Sequence, residues 1–410
     1  MNASEKKYLK WFPRFFNIFI ISIFLNIPYL DLFSFLLGSY PILLIIIPSS
    51  FLFFFFKRKL YYKSNLNSFI LILYFLITLL LFSIFLTTLY GNVSIYFLLK
   101  ISLFFMFPIV SLMILQDTSF KDLKLILKVN LIVSCIFQIV FSIILGHYNI
   151  AEGKFISNDK TLLNYSSNDL SIIMVSNCLV FYLLLNNSRK IKITGYNKWN
   201  LLKALMYIIP IIHLSKAHIV SYFFSILILL KKWLKIILIF VLILISFLIY
   251  NYSSDLNLYI KNKQINQLIV FNNMLWNLDI NIFDISRKVS GRNREYIYER
   301  EVFLIEKKVS IVTGLGDKGA KELLNGKDFH NIYYYFLIQF GYLSCFAFVG
   351  VMFLYLYFIL KIRNINFKKI YLFIWIYIAL RGFFITINPL WVLFYFSFIL
   401  IFYWKLKEKK

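Results

Sequence analysis

The chain has 410 residues, of which 61% are hydrophobic, and its mean hydropathy is +0.77. A soluble domain would be close to half apolar, and a soluble helical repeat protein would need polar helix faces that these apolar runs lack. The formal net charge is +26, but the basic residues form short clusters between apolar runs. This arrangement is typical of cytoplasmic loops and not of nucleic-acid binding. The sequence therefore predicts a multi-span membrane protein with no nucleic-acid partner.

The first nine predicted spans follow the apolar runs and are oriented by the basic clusters between them. They are expected at about 11–27, 32–56, 67–89, 93–115, 129–146, 166–185, 204–214, 219–230 and 234–250. The two short spans form a hairpin that turns at Ser215-Lys216-Ala217-His218. We favour this hairpin over one long tilted helix because both of its ends are strongly basic, which requires an even number of crossings. Lys121–Lys128 is a basic amphipathic stretch expected at the inner surface.

A polar segment of 79 residues, Asn251–Phe329, interrupts the spans. It contains 12 Lys or Arg and 10 Asp or Glu, and this mixed charge distinguishes it from the basic inner loops, so we expect it outside. Three further spans are predicted at about 331–360, 371–385 and 390–404, which gives twelve spans with both termini cytoplasmic. The expected organisation is nine helices in 1–250, an external loop with an amphipathic helix in 251–329, and three helices with a basic tail in 330–410.

The cysteines and the N-terminal run carry no sign of metal binding or of cleavage. Cys135, Cys178 and Cys345 all lie within apolar runs, without CxxC or metal spacing, so we predict small buried hydrophobic side chains. The first apolar run is not followed by a small-residue cleavage site and is predicted to be a retained span.

The outer segment and the span that follows it contain an ordered set of motifs. Ser290-Gly291-Arg292 precedes a predicted helix over Asn293–Lys308, in which Tyr298, Val302 and Ile305 recur with helical spacing. Gly314-Leu315-Gly316 follows this helix. It is not a dinucleotide fingerprint, because no strand precedes it and no third glycine follows in register. His330-Asn331 then opens a span, and Gly341 lies within that span.

This set resembles the outer loop of bacterial O-antigen ligases and surface-polysaccharide repeat-unit polymerases, most clearly over Ser290–Val351. The resemblance extends to Asn168-Asp169-Leu170, where the family often has an asparagine. It also extends to Leu214-Ser215-Lys216-Ala217, where the family has a Ser-Arg pair. Lysine stands for that arginine here, and its ammonium is a point charge and not a planar fork. The resemblance implies an all-α membrane protein with about 12 transmembrane helices, one large periplasmic or extracellular loop and a GT-C-like glycosyltransferase architecture.

The resemblance further implies a metal-independent, cofactor-free glycosyltransferase of the bacterial cytoplasmic membrane, which transfers a glycan from undecaprenyl diphosphate to a sugar hydroxyl. Cations must stabilise the leaving diphosphate, and a base must accept the hydroxyl proton. The expected catalytic residues are His330 and Arg292, and the expected diphosphate ligands are Lys216, Arg381 and Arg292. Expected sugar or acceptor contacts are His213, His218, Asn168, Tyr333 and Tyr334.

Each charged candidate also has a structural interpretation. Arg292 would pair with Glu295, and His330 would anchor its span. Lys216 and Arg381 would extend to the membrane interface, or Arg381 would pair with Asp169.

The favoured function is a polymerase that joins lipid-linked repeat units into O-antigen or capsular polysaccharide, since the AT-rich composition and divergent motifs resemble gene-cluster-specific polymerases. One alternative is an O-antigen ligase that transfers the finished glycan to lipid A core or to a protein. A second is a polysaccharide flippase, which the long outer loop and the absence of matching halves disfavour. Expected partners are the undecaprenyl-diphosphate-linked oligosaccharide and membrane lipids, and a chain-length regulator protein is a further candidate.

Overall fold

The computed structural model describes residues 14–22, 25, 64–90, 114–115, 118–143, 147–149, 154–156, 179–188, 216–253, 269–270, 272–273, 276–277, 310–316, 319–320, 331–384 and 389–407. Within these ranges the regular secondary structure is helical, as the sequence predicts, except for one small hairpin that was not predicted. The labelled helices are α1 (Ser64–Tyr90), α2 (Phe120–Ile143), α3 (Phe181–Ser188), α4 (Lys216–Leu229), α5 (Lys232–Asn251), α6 (Ile332–Phe340), α7 (Tyr342–Lys361), α8 (Ile365–Phe384) and α9 (Pro389–Lys407). The hairpin pairs β1 (His147–Asn149) antiparallel with β2 (Lys154–Ile156).

Two of the described helices, α5 and α7, are long and apolar enough to cross a membrane. Each has 20 residues, which extend about 30 Å in a helix and match the hydrocarbon thickness of a bilayer. No residue of α5 is buried, whereas 44% of the apolar window of α7 is buried. The helix α5 is therefore peripheral and α7 belongs to the core of the bundle. Both helices support the predicted membrane location.

Two predicted boundaries were wrong. Lys216, Ala217 and His218 do not turn but form the first residues of α4. The predicted turn contains neither glycine nor proline, so nothing in its backbone opposes a helix. The predicted span at 331–360 is two helices, α6 and α7, separated at Gly341. In addition, the basic stretch Lys121–Lys128 is continuous with the span predicted after it, because α2 covers both.

The break between α6 and α7 is centred on Gly341, whose φ is 94°. This backbone conformation is readily available only to glycine. A Cβ atom at this position would also lie 2.9 Å from the backbone nitrogen of Thr313. The amide of Leu343 donates to the carbonyl of Ile311 at 2.8 Å, and that of Tyr342 donates to the carbonyl of Ser310 at 3.4 Å. The break is therefore completed by backbone from another part of the chain.

Residues 310–316, which we call the 310–316 segment, fill this break. The amide of Leu315 donates to the carbonyl of Ile338 in α6 at 2.9 Å. The amide of Gly314 donates to Thr87 Oγ1 of α1 at 3.0 Å. Ser83 Oγ, one turn earlier on α1, contacts the carbonyls of Val312 and Phe340. Three parts of the chain that are distant in sequence thus satisfy one another's polar groups, as buried backbone requires.

Aromatic packing holds the C-terminal helices together. The rings of Tyr222 in α4 and Phe373 in α8 meet edge to face at 6.2 Å. Tyr371 of α8 donates its hydroxyl to the carbonyl of Ile399 in α9 at 2.5 Å. The residues of α9 from 391 to 402 are all buried, and the hydrophobic ones belong to the same core as Tyr222 and Phe373.

An ion pair ties residues 14–22 to the start of α2. Arg14 donates to Asp122 Oδ1 from Nη2 at 2.6 Å and from Nε at 2.9 Å. Ser119 donates to the other carboxylate oxygen at 2.7 Å and accepts from the Asp122 amide at 3.1 Å. Lys405 of α9 contacts the carbonyl of Thr118 beside them. Three segments therefore meet at the beginning of α2.

The pKa of Asp122 reflects this environment. Burial alone would raise it, but hydrogen bonds from Arg14 and Ser119 and the charges of Arg14 and Lys121 outweigh burial and hold the pKa below its ordinary value. A carboxyl with a lowered folded-state pKa stabilises the fold above the ordinary value of about 3.9, and this contribution is lost as the pH falls through the folded-state pKa.

We therefore expect Asp122→Asn to lower the unfolding midpoint of the detergent-solubilised protein at neutral pH. The difference between the two proteins should stay constant above about pH 5 and shrink at lower pH. The measurement is thermal unfolding across a pH series. A difference that grows on acidification would contradict the role of the charged carboxylate.

Candidate functional site

The structure describes only part of the predicted site. Arg381, Tyr333 and Tyr334 are described with their side chains. Lys216 and His218 are described by their backbone, at the beginning of α4. The remaining predicted site residues lie outside the described residues, namely Asn168, His213, Arg292 and His330.

Arg381 is the most unusual of the described candidates. It lies in the last turn of α8 and its side chain is 0% exposed. The predicted alternative in which this arginine extends to an interface does not fit a guanidinium that is completely enclosed. A charged group within an apolar bundle is costly, and it marks a functional position more often than a structural one.

The start of α6 packs directly against the turn of α8 that carries Arg381. The hydroxyl of Tyr333 donates to the carbonyl of Ala379 at 3.2 Å. On the other side of Arg381, a Cβ atom at Gly382 would lie 2.7 Å from Ile332 Cγ2. Residues on both sides of Arg381 therefore contact the first two residues of α6. His330 lies outside the described residues and stands two residues before α6 in the sequence.

Asn331 fixes the beginning of α6. It is the N-cap residue, and its Oδ1 accepts from the amides of Tyr333 at 2.8 Å and Tyr334 at 3.2 Å. Loss of such a cap costs about 1 kcal/mol. Because these amides are already occupied, an anion at this place would be bound by cationic side chains and not by the helix end.

Tyr333 and Tyr334 are both partly buried. The ring of Tyr333 packs against Phe348 of α7 with 6.1 Å between the centroids, and its hydroxyl bonds to α8. Tyr333 therefore links α6, α7 and α8. Its predicted contact with a sugar stays a prediction, as does that of Tyr334.

Sequence reasoning missed Ser83 and Thr87. Both are fully buried on α1, and they bind the 310–316 segment and the end of α6. Their spacing of four residues places them on one face of a mostly apolar helix, and this polar pair was the available signal. Through α6 they support the backbone that continues from His330.

No protein-family model and no curated protein matches the sequence.

Proposed function

We propose that this chain is a membrane glycosyltransferase that polymerises undecaprenyl-diphosphate-linked repeat units at the outer face of the bacterial cytoplasmic membrane. It would have about twelve transmembrane helices, a GT-C-like architecture and both termini in the cytoplasm. The observation that carries this proposal is the enclosed guanidinium of Arg381 beside the start of α6, two residues after His330. A cation and a base are the two groups that the reaction requires.

Helix directions support the inclusion of Lys216 in the same site. The basic pair Lys231-Lys232 follows the end of α4. A second basic pair, Lys368-Lys369, lies in the first turns of α8. The positive-inside rule places both pairs at the cytoplasmic side, so α4 and α8 run in opposite directions. Tyr222 and Phe373 are in contact and mark a common level in the two helices. At a rise of 1.5 Å per residue, Lys216 lies about 9 Å from Tyr222 along α4, and Arg381 lies about 12 Å from Phe373 along α8, both toward the outer side.

The reaction then assigns each residue a role. The acceptor hydroxyl of the next lipid-linked unit attacks the anomeric carbon of the growing chain, and its proton passes to His330. The bond between that carbon and the diphosphate oxygen breaks, and the diphosphate leaves with the electron pair. Lys216, Arg292 and Arg381 stabilise the resulting negative charge. Enclosed cations are effective here because a low local dielectric strengthens their attraction to the leaving group.

The 310–316 segment anchors the outer loop near its C-terminal end. It follows the predicted helix that begins after Arg292, and it is bound to α1 and to the α6–α7 break. The same backbone contacts position α6. This arrangement supports a site in which the loop residue Arg292 and the membrane residue Arg381 act on one diphosphate.

We expect purified protein in liposomes to convert a synthetic lipid-linked repeat unit into a ladder of products on a gel. His330→Ala and Arg292→Ala should each abolish the ladder while leaving the amount of folded protein unchanged. His147→Ala is the matched control, because His147 lies in the β1–β2 hairpin and should leave the ladder intact.

The outcomes separate the competing functions. A normal ladder in the His330 and Arg292 variants would contradict the assignment. Transfer of a preformed glycan to lipid A core, with no ladder, would identify a ligase. Movement of the lipid-linked unit across the membrane without bond formation would identify a flippase.

A further inference from the structure

One face of α2 is open along its first four turns. Leu125 and Val129 are each 44% exposed and Ile132 is 58% exposed. Lys121 and Lys128 are exposed on the same face, and Lys124 is partly exposed. The opposite face is buried in the bundle through Leu123, Ile126, Leu127 and Asn130. The open face therefore begins with lysines and ends with apolar side chains, and the two kinds overlap between Leu125 and Lys128.

The spacing of these residues forms a continuous stripe. Lys121, Lys124 and Lys128 follow one another at three and four residues, as do Leu125, Val129 and Ile132. Residues with this spacing share one helix face. From the first lysine to the last apolar residue the stripe is about 16 Å long at 1.5 Å per residue, which is close to one leaflet of a bilayer about 30 Å thick.

Further cations border the basic end of the stripe. Arg14 binds Asp122, the residue next to Lys121, and Lys405 contacts the carbonyl of Thr118 just before α2. Lys124 lies over the ring of Phe120, with 4.9 Å between its nitrogen and the centroid. In the described residues around the start of α2 there are five cations, namely Arg14, Lys121, Lys124, Lys128 and Lys405, and one carboxylate, Asp122. The region therefore has an excess of positive charge.

We propose that this face of α2, which we call the α2 lysine face, binds an anionic phospholipid of the leaflet next to the basic clusters. The phosphate would lie among the three lysines, and the acyl chains would lie along Leu125, Val129 and Ile132. Charge complementarity selects an anionic headgroup, and the apolar half of the stripe selects a lipid over a free anion. The inference requires that the chain is in a membrane, and it does not depend on the proposed glycosyltransferase activity.

The test uses the full chain, delipidated in a neutral detergent. Dihexanoyl phosphatidylglycerol is titrated against the unfolding midpoint, with dihexanoyl phosphatidylcholine and inorganic phosphate as parallel titrations. A ligand that binds only the folded state raises this midpoint with its concentration. Phosphatidylglycerol should raise it, and the other two compounds should leave it nearly unchanged.

Removing the lysines tests the site itself. Each lysine contributes about 1 kcal/mol to binding an anionic membrane surface, equivalent to roughly a fivefold change in affinity. Replacing Lys121, Lys124 and Lys128 by glutamine should therefore weaken phosphatidylglycerol binding by about a hundredfold. The matched control replaces Lys231, Lys232 and Lys235 by glutamine, which removes the same charge from two exposed positions and one partly exposed position and should preserve binding.

Several results would overturn the proposal. One is an equal loss of binding in the control protein, which would indicate a general effect of net charge. Another is an equal midpoint shift with phosphatidylcholine or with inorganic phosphate. If the lysine variant does not fold, the comparison of the three compounds on the unaltered protein still decides the matter.

Discussion

Replacing Gly314 by alanine is expected to destabilise the protein by about 3 kcal/mol or more. The new Cβ atom would lie 2.2 Å from the backbone carbonyl carbon of Gln339 and 2.3 Å from the amide nitrogen of Phe340. Both are backbone atoms of α6, which cannot rotate away as a flexible side chain would. The 310–316 segment would have to leave the α6–α7 break, and the amides of Leu315 and Leu343 would lose their carbonyl partners.

The measurement is thermal or chemical unfolding of the purified protein in detergent, together with the yield of folded protein. Gly319→Ala is the matched control, because its Cβ atom would meet its nearest neighbour, Leu315 Cβ, at an ordinary 3.5 Å. The control should be close to the unaltered protein in stability. If both variants unfold at the same midpoint, the close packing of Gly314 against α6 is wrong.

The second large effect is expected at Arg381. Arg381→Gln should reduce the rate of glycan polymerisation by about a hundredfold or more, since removing one group that stabilises transition-state charge typically costs a factor of 10²–10³. Arg381→Lys should retain more activity than glutamine, because it keeps the charge, and less than arginine, because it lacks the planar fork. The measurement is the initial rate of ladder formation in liposomes.

Arg363 supplies the control for both substitutions. It is an exposed arginine in the connection between α7 and α8, and its replacement by glutamine or lysine should leave the rate nearly unchanged. The unfolding midpoints of all variants are measured in parallel, because Arg381 is enclosed and its loss also alters packing. A lysine variant that is as inactive as glutamine but fully stable would show that the fork geometry is essential. Full activity in Arg381→Gln would contradict a role in the reaction.

Among the described residues, the helical character and the positions of most helices were predictable from the sequence. The span predicted at 234–250 corresponds to α5, and the span predicted at 390–404 corresponds to α9. Apolar length suffices for such predictions, because backbone amides in an apolar environment must be satisfied within the segment and a helix does this without any partner. The beginning of α8 and the end of α9 extend beyond the predicted spans into lysines, because lysine is a good helix former.

The break at Gly341 was not predictable in this way. Glycine within a long apolar run is compatible with an unbroken helix. The break is stable because Ser310 and Ile311 accept from the amides that it exposes. These partners lie about 30 residues away in the sequence, and Ser83, which supports them, lies 229 residues from Val312. Contacts of this range have no local signature.

The sequence by itself determined that the chain is helical and apolar, and it singled out Arg381 as a charge in an expensive place. Local chemistry decides these features, because hydropathy and backbone satisfaction act within one helix. Only the tertiary structure decided that Arg381 is fully enclosed and that its turn of α8 meets the start of α6 after His330. That neighbourhood depends on close packing between helices distant in sequence, which α1, the 310–316 segment and Gly341 hold in place.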